Sequence, residues 1–187
     1  MCGIAGIIHR KKTGNIGAQM TSMLQSMNHR GPDSSGFALY GMPKPGELVM
    51  RFIVAEQEDL QTGFAIHEQI KQRRAEGDVR IRSRGGEIVS AEQATEYAFV
   101  YRIRFEGDLR RFADYFEEVE GAEILSIGNA LELIKDLGDA EQVAEQYHLE
   151  NFSGTHAIGH VRMATESDVD ICSAHPFWAY PYRDVAV

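Results

Sequence analysis

Met1-Cys2-Gly3-Ile4-Ala5-Gly6 opens the chain and places a thiol directly behind the initiator methionine. Removal of that methionine leaves Cys2 with a nucleophile and a free α-amino group on one residue. The pairing matters because an α-amine has a pKa of about 7.7–8.0, against about 10.4 for a lysine. Such an amine accepts and returns a proton near neutral pH, which is the task of a general base. A cysteine is already a few per cent thiolate near neutrality and needs little help to react. Taken alone, the same residue also reads as a small buried hydrophobe.

The surrounding composition narrows the setting. The 187 residues suit one domain, or one domain with a substantial insertion. Apolar content of 43% and charged content of 25% are those of a soluble globular protein. Apolar runs are only a few residues long, so the sequence predicts neither a transmembrane helix nor a signal peptide, and no membrane partner. Two cysteines, Cys2 and Cys172, point to a reducing, cytoplasmic setting and exclude a disulfide framework. With no HExxH or CxxC spacing beside them, no metal site is expected. A net charge of −9 argues against a nucleic-acid partner, and the basic stretches 71–74 and 80–84 read as solvated faces.

Periodicity sets out the elements. Residues 3–9 read as a buried strand, and Ile16, Met20, Met23, Leu24 and Met27 recur at helical spacing until Gly31-Pro32 ends the helix. Strands are predicted over 37–40 and 47–54, a helix over 60–74 with Phe64, Ile66 and Ile70 as its apolar positions, and a loop over 82–86. The alternation across 97–105 predicts a strand, and Gly107-Asp108 caps a helix over 109–119 with Leu109, Phe112, Phe116 and Val119 as its stripe. A strand over 123–127 and helices over 130–137 and 141–147 follow. The stretch 56–150, with its own mixture and no linker composition, reads as an inserted α+β lobe. Strand character returns over 155–163, and a final strand begins near Asp184.

Three separated motifs carry chemistry: the opening hexapeptide, His29-Arg30-Gly31-Pro32-Asp33-Ser34-Ser35-Gly36, and Gly159-His160-Val161-Arg162-Met163-Ala164-Thr165. In this order they resemble class II glutamine amidotransferases, the N-terminal-nucleophile glutaminases, over about 1–55 and 153–187. The large insertion resembles the glutaminase subunits of glutamate synthase-like or N-methylglutamate synthase-like complexes. The resemblance implies an α+β fold, a four-layer αββα sandwich with antiparallel sheets. The amidotransferase domain would occupy 2–55 and 151–187 and the inserted lobe 56–150. It implies that the Cys2 thiolate attacks the glutamine side-chain amide and that the α-amine of Cys2 shuttles the proton. A γ-glutamyl thioester forms and water releases it as glutamate. No cofactor is implied. The implied partners are glutamine and a synthase subunit or domain that accepts the ammonia; a homo-oligomer is compatible with this.

Residue by residue, Cys2 matches the nucleophile and base. Arg162 matches the arginine that holds the substrate α-carboxylate, a task suited to a planar fork of donors, with a structural ion pair as its other reading. Thr165 matches a position that also reaches that carboxylate, or serves as a polar turn residue. Arg30 matches an arginine that orders the N-terminus or favours thiolate, whereas Asp33 reads as a turn residue. His175, in Ala174-His175-Pro176-Phe177, is either a wall of the cleft or a structural histidine; His160 is expected to point into the fold and Cys172 to be a bystander. Glu166 departs from relatives carrying histidine or a small residue there. In the family, the strand that begins like Asp184-Val185-Ala186-Val187 leads to an oxyanion-hole Asn-Gly pair and, later, an amino-group-binding aspartate. The resemblance therefore implies that these 187 residues are the N-terminal portion of such a domain. A non-catalytic scaffold that keeps the fold is the alternative, and an amidase acting on other amides a third reading.

Overall fold

The protein is seen here as a computed structural model that describes residues 2–10, 13–56, 59–60, 64–164, 171 and 173–187. Ten strands and four α-helices alternate along the described chain. One four-stranded antiparallel sheet has the order β1-β10-β3-β8, built from Gly3–Ile8, His156–Arg162, Ser34–Tyr40 and Leu131–Leu137. A second has the order β5-β6-β4-β7, from Glu87–Gln93, Ala98–Arg104, Leu48–Ile53 and Glu123–Gly128. The two-residue strands β2 (Gly14–Asn15) and β9 (Ser153–Gly154) form a small separate pair.

Helix α1, Ile16–Gln25, starts where the Asn15 side chain accepts from the Ala18 N–H, a cap worth about 1 kcal/mol. Its buried Ile16, Met20 and Leu24 lie against the first sheet. Met23, expected in the same stripe, is instead 37% exposed. Beside α1 lies α4, Ala140–Gln146, opened by a capping box between Asp139 and Gln142. On the second sheet, α3 (Leu109–Glu117) is capped by Asp108 and buries Leu109, Phe112 and Phe116, as its spacing predicts. The Phe116 ring meets Phe52 of β4 edge-on at 4.9 Å, within the favoured range for aromatic pairs. Helix α2, Phe64–Ser83, packs against α3 and β5.

Helix α2 passes straight through Arg82, where a loop is expected, and its basic residues are not simply solvated. Arg73 donates to the Val54 carbonyl at 2.8 Å, Arg74 to the Tyr101 hydroxyl at 3.0 Å, and Arg80 to the Tyr115 carbonyl at 2.6 Å. These long side chains satisfy backbone and phenol oxygens at the rim of the core while their charged heads stay near water.

A second correction concerns 130–137, predicted as a helix. It forms β8, buried along most of its length. Its charges fold inward with partners: Glu132 accepts from Arg51 at 2.7 Å, and Lys135 faces Glu123 at 3.5 Å. Asp136 accepts from both Tyr97 and Tyr147 hydroxyls. Burial raises the Asp136 carboxyl pKa despite those donors.

The segment 56–150, expected as an inserted lobe, pairs its strands with β3 and β4. Its β5, β6 and β7 complete a sheet with β4, and its β8 pairs with β3 from Ser34↔Leu137 to Tyr40↔Leu131. One cluster of buried side chains runs from Ile16 of α1 through Phe52 and Phe112 to Val161 of β10.

Candidate functional site

Antiparallel pairing brings the three motifs together. Gly3 sits opposite Val161, and Val161 opposite Ser35. The β1–β10 ladder ends at Gly3 and Val161; Cys2 is the residue before Gly3, and Arg162, the residue after Val161, sits opposite Ser34. Residues directly opposite one another point to the same face of a sheet. Arg162 and Ser34 therefore form one row, at the end of the sheet that Cys2 leads into, and Ile4, His160, Gly36 and Lys135 the next row of that face.

The other face is closed by α1. A Cβ on Gly159 would meet the side chains of Leu24 and Met20 at 2.8 Å. On the Cys2 face, the loop after β10 lies close over β3: a Cβ on Gly36 would meet the His175 carbonyl oxygen at 2.0 Å. His175-Pro176 is a cis peptide. The loop is held from below by Lys135, whose Nζ lies 4.9 Å from the Phe177 ring centre. Farther on, Phe177 and Val187 exchange backbone hydrogen bonds of 2.8 and 2.9 Å, so the expected final strand pairs back on its own loop. The Asp184 carboxylate fastens that return to the β7–β8 turn, accepting from the N–H groups of Ala130 and Leu131 at 2.7 and 2.9 Å. Burial opposes its charge, but these donors outweigh it and hold the pKa below the ordinary carboxylate value.

Each site residue named from the sequence has a place, with one exception. Cys2 is exposed, its thiol unlinked. Arg30, from the 3₁₀ turn Asn28–Arg30, donates its Nε to the Cys2 carbonyl at 3.2 Å. That contact grips the backbone of Cys2 and leaves its side chain unencumbered. Arg162 is 8% exposed at the end of β10. His175 is exposed, its ring centred 5.3 Å from that of His160 and 4.5 Å from that of Phe177. Thr165 lies outside the described residues, as do Glu166 and Cys172.

Two residues matter more than their sequence reading suggests. Asp33 is more than a turn former: its N–H donates to the Arg162 carbonyl at 3.1 Å and its Oδ2 accepts from the Ala164 N–H at 2.7 Å. It thereby ties the second motif to the third at the residue that must be positioned. Ser34 was overlooked. Its Oγ and the Nδ1 of His160 are buried beside Arg162 without a hydrogen-bond partner among the described residues. Buried polar atoms normally find partners, so two orphans flanking an arginine mark a place for a polar ligand or ordered water. The register opposite Arg162 would have found Ser34, but register is not written in one sequence.

The exposed Cys2 thiol, the Arg162 guanidinium and the orphan polar atoms of Ser34 and His160 thus gather at one end of this sheet. Comparison with known proteins gives this face a relationship. The chain is 32% identical over 207 aligned residues to a protein of Methanothermobacter thermautotrophicus named "Putative glutamine amidotransferase", covering 100% of this chain and 60% of that one. It is 30% identical over 182 residues to the "Glutamine amidotransferase-like protein GlxB" of Rhizobium meliloti, covering 95% of this chain and 54% of that one. Both of these similar proteins carry the words glutamine amidotransferase in their names. The chain spans less than two thirds of the length of either of these relatives. No protein-family model matches it.

Among the described residues, no helix is long and apolar enough to cross a membrane. Two expected outcomes follow from the geometry of the site. A Cβ on Gly31 would lie 2.5 Å from the Arg162 carbonyl carbon and 2.8 Å from its nitrogen and oxygen, so Gly31→Ala must push the two backbones apart. We expect a loss of about 1–3 kcal/mol, typical of overpacking, read as a lower midpoint in urea unfolding; an unchanged midpoint would refute the contact.

The second concerns pH. The His160 pKa is lowered by burial first, then by the charges of His175 and Arg162. Unfolded imidazole titrates near pH ~6.5, so on acidification the unfolded chain takes up this proton before the folded one does. The stabilising contribution is complete above that value and is lost as pH falls towards the lowered folded pKa. Unfolding measured from pH 8 to pH 5 should therefore decline less steeply in His160→Gln than in the parent. Equal slopes would contradict a buried neutral imidazole.

Proposed function

We propose that this chain is the glutaminase component of a class II, N-terminal-nucleophile amidotransferase that supplies ammonia to a synthase partner. The observation that carries the reading is the pairing of Gly3 with Val161, which ends the β1–β10 ladder between Cys2 and Arg162, with Arg30 holding the Cys2 carbonyl. Arg162 would grip the α-carboxylate of glutamine and set its side-chain amide over the thiol. With Met1 removed, the α-amine takes the thiol proton, and the thiolate attacks the amide carbon. The C–N bond then breaks, the same proton leaves with ammonia, and a γ-glutamyl thioester remains. Water adds to the thioester, the C–S bond breaks, and glutamate departs. A proton from that water, relayed by the α-amine, restores the Cys2 thiol, so the residues need no external reagent beyond water.

The four-layer αββα arrangement is part of this proposal. It is supported by two antiparallel four-stranded sheets, one in contact with α1 and α4, the other with α2 and α3. The ammonia acceptor is proposed as a synthase subunit or domain because free ammonia is readily lost to solvent.

The test is chemical labelling. The full-length protein is treated with 6-diazo-5-oxo-norleucine, an electrophilic glutamine analogue, and its peptides are mapped by mass. Label on Cys2, suppressed by excess glutamine, is the expected result. Label confined to Cys172, or none at all, would leave a scaffold without glutaminase activity as the better account.

A further inference from the structure

A concave site lies on the second sheet. A cavity of about 350 Å³ opens over β4, β5 and β6, walled in part by Arg51, Glu92, Arg102, Glu132, His148 and Phe152. Its volume is within the range of small-molecule sites, about 300–1,000 Å³.

The sheet register explains why this wall is polar. Arg102 pairs with Ser90, while Val100 pairs with Glu92 on one side and Arg51 on the other. The two-residue period of a strand puts these side chains on one face. Their neighbours Met50, Phe52, Phe99 and Tyr101 turn to the opposite face and enter the core.

Four charges line the cavity, and they divide into two kinds. Arg51 and Glu132 satisfy each other, with Nε and Nη2 at 2.9 and 2.7 Å from Oε2. Arg102 and Glu92 have no hydrogen-bond or ion-pair partner among the described residues. They occupy diagonal positions on adjacent strands, where backbones stand about 7–8 Å apart. A half-buried guanidinium offers a fork of donors that suits a carboxylate. An exposed carboxylate one diagonal step away offers only acceptors, which suit an ammonium group. The wall thus presents a separated pair of opposite charges, each lacking its counterpart.

At the edge of the same cavity, His148 holds the left-handed conformation, φ 55°. For a residue with a side chain this conformation is costly, and such strain concentrates at ligand sites. Phe152 and Ala94 supply the apolar part of the lining.

We infer that this cavity binds a free α-amino acid as its zwitterion, with the α-carboxylate on Arg102 and the α-ammonium on Glu92. The ligand side chain lies towards Phe152. Glu132 and Arg51, already paired, supply a neutral polar floor and compete for neither charge. The site uses no residue of the Cys2 face, so it stands or falls independently of the glutaminase reading.

Calorimetric titration of the protein with L-alanine, L-serine, L-glutamate and L-glutamine, each separately, tests the assignment. At least one should bind, and Arg102→Ala and Glu92→Gln should each weaken it by about tenfold or more, as expected for losing a charged hydrogen bond. Both positions are at the surface, and a thermal melt confirms that each variant is folded. Acetate and methylamine, which carry one charge each, should bind more weakly than the amino acid by a similar factor. The assignment is overturned if no amino acid binds, or if binding survives both substitutions. It is equally overturned if acetate binds as tightly, or if Arg162→Lys abolishes binding that Arg102→Ala leaves intact.

Discussion

Replacing Cys2 by alanine should remove glutamine hydrolysis, with a fall in kcat of at least about 10³-fold, as in enzymes stripped of their nucleophile. The substitution deletes one sulfur atom and leaves the α-amine, so any surviving turnover would have to come from the amine or from bound water. Fold is not at risk. Cys2 is exposed, and Arg30 reaches its backbone carbonyl rather than its side chain. The melting temperature should therefore match the parent, which separates a chemical loss from a structural one. Cys2→Ser should be nearly as inactive, because a hydroxyl is far less ionised at neutral pH than a thiol. The measurement is glutamate released from glutamine by the full-length protein. A Cys2→Ala variant that kept a tenth of parental kcat would sink the thioester mechanism.

Arg162→Ala should raise the KM for glutamine by about 10–100-fold, the worth of a charge-assisted hydrogen bond of about 1.5–3 kcal/mol. The effect should fall on KM more than on kcat, since the α-carboxylate is gripped before and during the reaction alike. Arg162 is mostly buried and its carbonyl is held by the Asp33 N–H, so truncation to alanine also leaves a void. Arg162→Lys is the necessary companion. It keeps the charge and most of the volume but loses the two-pronged geometry, so it should lie between parent and alanine variant. A glutamine analogue with its α-carboxylate converted to an amide provides the decisive readout. If Arg162 holds that carboxylate, the analogue should be a poor substrate for the parent, and the variants should handle it no worse. A variant equally impaired towards both compounds would show that Arg162 only supports the fold.

The parts of this molecule legible in its sequence are those governed by neighbours in the chain. Asp108 and the stripe through Leu109, Phe112 and Phe116 specify α3 because a cap and a helical face are local properties. Strand β8 was not legible for the opposite reason. Glu132, Lys135 and Asp136 are spaced like the polar side of a helix, and only distant partners allow them inside. Strand β5 escaped notice because an edge strand with Glu87, Ser90, Glu92 and Gln93 has little apolar alternation to read. At the site, the motifs named Cys2, Arg30, Arg162 and His175, and the structure supplies what joins them. The role of Asp33 between motifs and the unpaired Ser34 Oγ depend on register across β10 and β3, which a single sequence does not state.

Strand β1 has one partner in its sheet, β10, and the residue that meets Gly3 is Val161. A ribosome adding about 5–20 residues per second needs on the order of ten seconds to make the intervening chain. Throughout that interval the first strand has nothing to pair with, and the thiol beside it has no arginine. Such distant pairings are also slow to form once the chain is complete. Enzymes that trim the initiator methionine can therefore reach an open N-terminus before it is drawn into a sheet. A site split between the first strand made and the tenth cannot assemble until synthesis has passed residue 162.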